Sequence, residues 1–257
     1  MIHNRIDAAL QFEGMTTRAG LTIMDMFLNE AVHRHPIGSF VEFGTYKGRT
    51  AALLAQHINA SRWLHAVEQS DYLEFDRLKQ ISERVTWHRM ESEAFCAEML
   101  QDIQPVIVSH HDASHFFNNV YVELKSIAQI VHPSGVIILD DFNDTYSQVR
   151  AAYYFLRYAK AFPYEILLIG FNKCILVHNN AFDDYESFIL DVFIDRLRDY
   201  ELDCKLARTD VHEKSKGFSV VKKTSPQEDD RYGMNFLGDR YYKPSSSGIK
   251  KLPELDR

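Results

Sequence analysis

Residues 40–50 read Phe-Val-Glu-Phe-Gly-Thr-Tyr-Lys-Gly-Arg-Thr and run straight into Ala-Ala-Leu-Leu-Ala. An apolar strand that delivers an acid, Glu42, and then two glycines, Gly44 and Gly48, into a helix start leaves few architectures open. Glycines let a ligand approach bare backbone, and the first helical turn supplies unpaired N–H donors. A dinucleotide fingerprint would read G-x-G-x-x-G, but Tyr46 stands where its middle glycine is needed, which disfavours NAD and FAD. The pattern is E-x-G-x-x-x-G, a cofactor cradle of another kind.

From residue 39 onward, short β-branched runs alternate with helical periods, the mark of a parallel sheet covered on both faces. The pattern predicts strands over 39–44, 63–68, 85–89, 105–110, 136–140, 164–170 and 174–178. Between them, Val120, Leu124, Ile127 and Val131 form one apolar stripe over 119–131, stopped by Pro133 and Gly135, and Val149, Ala152, Tyr153 and Leu156 form another over 147–161. The last two strands are joined only by Phe171-Asn172-Lys173, too short for a crossover, so they form an antiparallel hairpin. The expected fold is α/β: a doubly wound, seven-stranded, mostly parallel Rossmann-like sheet with an antiparallel last strand. Four regions follow: an N-terminal helical cap over 1–36, the core over 37–180, a C-terminal helix over 181–203 and a polar tail over 204–257. The tail carries Phe236, Tyr241 and Tyr242, and is either docked on the core, docked on a partner subunit of a homo-oligomer, or disordered.

A chain of 257 residues with 46% hydrophobic content can bury one sizeable core. Its net charge of −7, without a basic cluster beyond pairs such as Lys222-Lys223 and Lys250-Lys251, argues against a nucleic-acid partner and favours a small molecule. Cys96, Cys174 and Cys204 are widely spaced with no C-x-x-C pair, and read as buried thiols of a reducing compartment. No signal core or run near the ~20 apolar residues of a membrane span is present, so a cytoplasmic location away from membranes is expected.

Glu68 ends the second strand about 20 residues after Gly48, where a doubly wound nucleoside site places an acid to accept hydrogen bonds from ribose hydroxyls. The fourth strand ends in His110-His111-Asp112-Ala113-Ser114-His115 and the fifth in Asp140-Asp141. Strands four and five are neighbours in such a sheet, so Asp112, Asp140 and Asp141 face one crevice. Three carboxylates there repel unless a cation, a proton or hydrogen bonds offset the charge. Oxygen donors without a thiol suit magnesium rather than zinc.

The glycine turn, with the aliphatic strand before it and the helix after it, resembles motif I of the class I S-adenosylmethionine-dependent methyltransferases. The order Asp-x-x-His, a helix ending in Pro-x-Gly, then a strand ending Asp-Asp-Phe is similar to the metal-dependent sugar O-methyltransferases of the macrocin and mycinamicin type, and to the methyltransferase-fold proteins called cephalosporin hydroxylases. The likeness covers roughly residues 12–180. It implies that Glu42, Gly44, Thr45, Tyr46, Gly48 and Thr50 hold the methionine end of S-adenosylmethionine. Glu68, Glu91, Ser92 and Asp112 would meet its nucleoside and methyl ends. It further implies that Asp112, Asp140 and Asp141 lie at a magnesium and that His115 is the general base, with Asp112 beside it. This chain has His-Asp-Ala-Ser-His where relatives more often have Asp-Gly-Asp-His, one acid fewer. The expected reaction is methylation of a small-molecule hydroxyl, on a sugar or a catechol, the sugar being preferred through the resemblance. The alternative is a non-catalytic accessory protein that binds S-adenosylmethionine or S-adenosylhomocysteine.

Overall fold

The computed structural model describes residues 2–103, 105–208 and 217–222. Two helices, α1 (Ile2–Ala9) and α2 (Arg18–Arg34), precede β1 (Ser39–Phe43), α3 (Arg49–Ala55), β2 (Leu64–Val67), α4 (Phe75–Ile81), β3 (Val85–His88) and α5 (Ser92–Glu98). Then come β4 (Val106–His111), α6 (Phe117–Ile127), β5 (Val131–Leu139), α7 (Val149–Ala159), β6 (Tyr164–Gly170) and β7 (Lys173–His178). The chain closes with α8 (Phe182–Phe188), α9 (Ile194–Asp199), β8 (Cys204–Arg208) and β9 (Phe218–Lys222). The strands form one sheet in the order β3-β2-β1-β4-β5-β7-β6-β9-β8. The first five are parallel, and β7 runs antiparallel to both β5 and β6.

Among the described residues the sheet has nine strands rather than the expected seven. Part of the stretch read as a polar tail adds to the edge, with β9 pairing parallel to β6 through Leu168 and Ile169, and β8 pairing antiparallel to β9. Leu206, Ala207, Phe218 and Val220 bury there, which offsets the polar residues between them. Residues 223–257, with Phe236, Tyr241 and Tyr242, lie outside the described residues. The expected C-terminal helix runs through α8 and α9 without a break, with a π-helical turn over Ile189–Phe193 inside it. The stripe over 119–131 overran its helix. Val131 already pairs with Val106, and a register shift before Val108 meets Val136 absorbs Pro133 and Gly135 in an irregular strand start.

Alternation along the strands divides the core into two layers. Phe40, Val136, Ile138, Ile175 and Val177 pack with α2, α3, α8 and α9, while Val41, Ile137, Leu139, Cys174 and Leu176 pack with α5, α6 and α7. All three cysteines are buried free thiols. Among the described residues, no helix is long and apolar enough to cross a membrane.

On the β2–β3 edge, His65 Nδ1 lies 3.0 Å from His88 Nε2 with the rings stacked. Burial and the neighbouring imidazole push His65 down to about 4, and burial lowers His88 as well. The unfolded chain therefore binds more protons than the folded one below pH 6.5. Stability is expected to be full above that pH and to fall by roughly 3 kcal/mol as pH drops toward 4. Urea midpoints measured across that window check this, and His65→Phe should flatten the slope.

Candidate active site

The turn after β1 is fixed by backbone bonds before any side chain contributes. Gly44 N–H donates to the Val67 carbonyl at 2.9 Å, and Gly48 N–H to that of Thr45 at 3.0 Å. Gly44 has φ +79°, and a Cβ there would meet the Asp112 carbonyl oxygen at 2.2 Å. This glycine is required by the close passage of the loop after β4, a tighter constraint than ligand access alone. Gly48, at φ +104°, opens α3 from the left-handed region. Tyr46 is left-handed too, at φ 50°, and its N–H donates to Glu68 Oε2 at 2.8 Å. Glu68 Oε1 accepts from Ser70 N–H at 2.8 Å and Ser70 Oγ at 2.6 Å. The carboxylate at the end of β2 is thus aimed and held, with acceptor capacity left over.

A cavity of about 560 Å³ opens over this turn. Of the residues expected at the cofactor, Gly44, Thr45, Tyr46, Thr50, Glu68, Glu91, Ser92 and Asp112 line it, and so does His115. Gly48 sits behind the wall among Leu73, Leu78 and Phe12. Glu42 is also behind it, fully buried, with Oε1 3.0 Å from His110 Nδ1. Glu42 Oε2, Thr45 Oγ1 and His110 Nε2 are buried without a protein partner, polar atoms of the kind that ligand or water contacts satisfy. The cradle fits a nucleoside-bearing cofactor: a held carboxylate at one end, bare backbone at the turn, and polar groups opening α5.

The two histidines that end β4 and the one that follows it do not act together. Strand alternation sends His110 toward Glu42 and His111 to the opposite face, where Nδ1–H donates to Glu123 Oε2 at 2.9 Å and Ser109 Oγ lies 2.7 Å from Nε2. Burial lowers the His111 pKa, with Glu123 opposing the fall. Only His115 reaches the cavity. Its Nε2 lies 3.0 Å from Asp141 Oδ2 and 3.5 Å from Asp112 Oδ1, ion-pair distances without hydrogen-bond alignment. Asp112 and Asp141 raise the imidazole pKa against the opposing effect of burial. Asp112 itself is pushed up to about 6 by burial, with His115 opposing and Asp140 reinforcing the rise.

Asp140 is differently committed. Its Oδ2 is paired with the buried Lys173 ammonium, while Oδ1 accepts from Asp141 N–H at 2.9 Å and from Asn172 Nδ2 at 3.5 Å. Burial alone would raise Asp140, but Lys173 and His110 hold it below its ordinary value. Asp141 adopts φ 51° and takes a further hydrogen bond from Asn172. Ligand-capable atoms gather within 4.8 Å in two overlapping groups, His110 with Asp112 and Asp140, and Asp112 with His115 and Asp141. Among the described residues, the expected set of Asp112, Asp140 and Asp141 is not brought to one point.

Sequence reasoning missed Lys173, Asn172 and Arg49. The β6–β7 loop is Phe171-Asn172, both at positive φ (51° and 67°), a type I′ hairpin. The turn that announced the hairpin therefore also delivers Asn172 and Lys173 to the aspartates. Arg49 Nε donates to the Phe12 carbonyl at 2.9 Å and Nη1 to that of Thr16 at 3.1 Å, and Lys47 Nζ bonds Glu13 Oε2 at 2.5 Å. These bonds tie residues 12–16 over the cavity, whose wall includes Gly14, Met15 and Thr16.

Residues 41–142, which hold the glycine turn, Glu68, Asp112, His115, Asp140 and Asp141, match the family model of a methyltransferase domain. This stretch is a methyltransferase domain. Among curated proteins, none matches the chain by sequence. By structure, the methyltransferase domain and its surroundings are similar to a protein from Klebsiella pneumoniae assigned as an O-methyltransferase. There the TM-score is 0.53 at 15% identity, covering 69% of this chain and 89% of that one. The calicheamicin methyltransferase CalS11 gives 0.50 at 12%, covering 68% and 91%. MycE, a methyltransferase of the mycinamycin biosynthetic pathway, gives 0.50 at 12%, covering 69% of this chain and 53% of its own. At these identities the likeness establishes the fold, and the methyltransferase domain's sequence match establishes the S-adenosylmethionine-dependent class.

Proposed function

We propose that the protein is an O-methyltransferase acting on a hydroxyl of a small molecule, a sugar or related natural-product moiety, with His115 as general base. The observation that carries this reading is one continuous cavity. Gly44, Thr45, Tyr46, Thr50, Glu68, Glu91 and Ser92 line it together with Asp112 and His115. S-adenosylmethionine supplies an electrophilic methyl group on its sulfonium. The residues have only to bind, align and deprotonate. Glu68 accepts a ribose hydroxyl on the lone pair of Oε2 that Tyr46 leaves open. His115 accepts the acceptor's hydroxyl proton, and Asp112 and Asp141 stabilise the imidazolium that forms. The acceptor class is supported by CalS11 and MycE, whose names place them in calicheamicin and mycinamycin chemistry.

Magnesium, which accompanies S-adenosylhomocysteine in the MycE complex, is not supported by the chemistry of the donor set here. Asp140 is spent on Lys173, and Asp112 and Asp141 flank a basic imidazole.

Titration calorimetry with S-adenosylhomocysteine should give one site per chain, and Glu68→Gln should weaken it about tenfold, since one charge-assisted hydrogen-bond pattern is lost. Methyl transfer from labelled S-adenosylmethionine to sugars and catechols then ranks acceptors. Cofactor binding without transfer to any hydroxyl would favour the accessory, non-catalytic reading.

A further inference from the structure

We infer that Lys173 is a built-in cation that takes the place of a divalent metal beside Asp140. This rests on the methyltransferase reading of the site. Lys173 is 2% exposed and Asp140 6%. Two charges so buried persist only when paired, and here each is the other's partner. The ammonium is held from three sides. Its Cα is the first residue of β7, fixed across from Gly170 by the hairpin register. Its stem passes the backbone of Gly20, with Cε 3.6 Å from where a Cβ would lie. Its Nζ also donates to Thr16 Oγ1 at 3.3 Å.

A dication reaching Asp140 would have to displace a tethered like charge. The remaining acids are also engaged, since Asp112 and Asp141 approach His115 and Asp141 is bonded by Asn172. Three aspartates are thus offset by Lys173, His115 and the Asn172 amide. Lys173 acts as a positioning residue. It keeps Asp140 ionised, leaves Asp112 and Asp141 free to orient His115, and fastens Thr16 and the cover segment to the far edge of the crevice. The consequence is methyl transfer that needs no divalent cation.

Titration of the full chain with Mn²⁺, read by electron paramagnetic resonance with S-adenosylhomocysteine bound, tests this without any acceptor. The wild type is expected to show no stoichiometric site. Lys173→Met frees Asp140 and is expected to gain one Mn²⁺ site at least tenfold tighter than any wild-type binding, lost again in Lys173→Met with Asp140→Asn. Retained S-adenosylhomocysteine binding would show that the variants are folded. A stoichiometric wild-type Mn²⁺ site abolished by Asp140→Asn overturns the inference, whether or not Lys173→Met folds. Methyl transfer, once an acceptor is in hand, should change less than twofold on adding EDTA, and its abolition by EDTA with recovery in magnesium would also overturn it. Absence of transfer to every acceptor would count against the proposed function alone, leaving the Mn²⁺ result to decide the role of Lys173.

Discussion

His115→Gln is expected to lower kcat by about 10²–10⁴-fold while leaving the affinity for S-adenosylhomocysteine within about twofold, the range of a lost general base. Glutamine retains bulk and polarity at the cavity wall but cannot take a proton near neutral pH. The pH profile gives a sharper signature than the rate itself. Asp112 and Asp141 raise the His115 pKa above its ordinary value of 6.5, and the base works only when neutral. The rate should therefore rise with pH through a midpoint above 6.5 and level off beyond it. Asp141→Asn removes one of the charges that raise the midpoint, so the acid limb should shift to lower pH even as the maximal rate falls, because the imidazolium is then less stabilised. A variant that merely damaged folding would reduce activity at all pH values without moving the midpoint. Rate measurements from pH 5.5 to 9 with one hydroxyl acceptor decide it, and an unchanged kcat in His115→Gln sinks the base assignment.

What the sequence made legible follows the range over which each signal acts. The glycine turn, the acid at the end of β2 and the histidine three residues after Asp112 are local patterns, and the cavity wall includes them. The parallel core and the antiparallel pairing of β6 with β7 follow from the alternation of strands with helices and from the short β6–β7 loop. Two kinds of information were hidden. One is the direction a side chain takes once strand ends are known to a single residue: His110 and His111 diverge because β4 runs to His111, one residue further than its hydrophobic run suggested. The other is long-range charge pairing. Nothing near Lys173 in sequence marks it as the partner of Asp140, 33 residues away, because only the antiparallel register of β5 with β7 places Leu139 opposite Cys174. β8 and β9 were concealed differently. Each is five residues long, too short for alternation to stand out from the polar stretches around it.

The second large effect is on stability and centres on Asp25, which takes no part in the cavity. This carboxylate is fully buried on α2, where its second-turn position among Leu21, Met24 and Leu28 would suit an apolar side chain. It persists because four groups converge on it. Arg5 from α1 binds both oxygens, at 2.8 and 2.9 Å, and His57 Nε2 lies 2.8 Å from Oδ1. Tyr200 Oη donates to Oδ2 at 2.7 Å and Asn29 Nδ2 at 3.2 Å. Burial alone would raise its pKa, yet His57 and Arg5 hold it well below the usual carboxylate range. Asp25 thereby joins α1, α2, the end of α3 and the end of α9. Asp25→Ala leaves Arg5, His57 and Tyr200 facing a void, and is expected to cost about 3–5 kcal/mol in urea unfolding at pH 7, the range for removing one partner of a buried ion pair. Because the folded pKa lies below the unfolded value near 3.9, this contribution is fully present above about pH 4 and is lost as the pH falls further. The wild type should thus lose stability steeply below pH 4 and Asp25→Ala much less so, which means the two unfolding midpoints converge in acid. Parallel curves down to pH 2.5 would show that the helices are held together by packing and that the buried carboxylate contributes little to joining them.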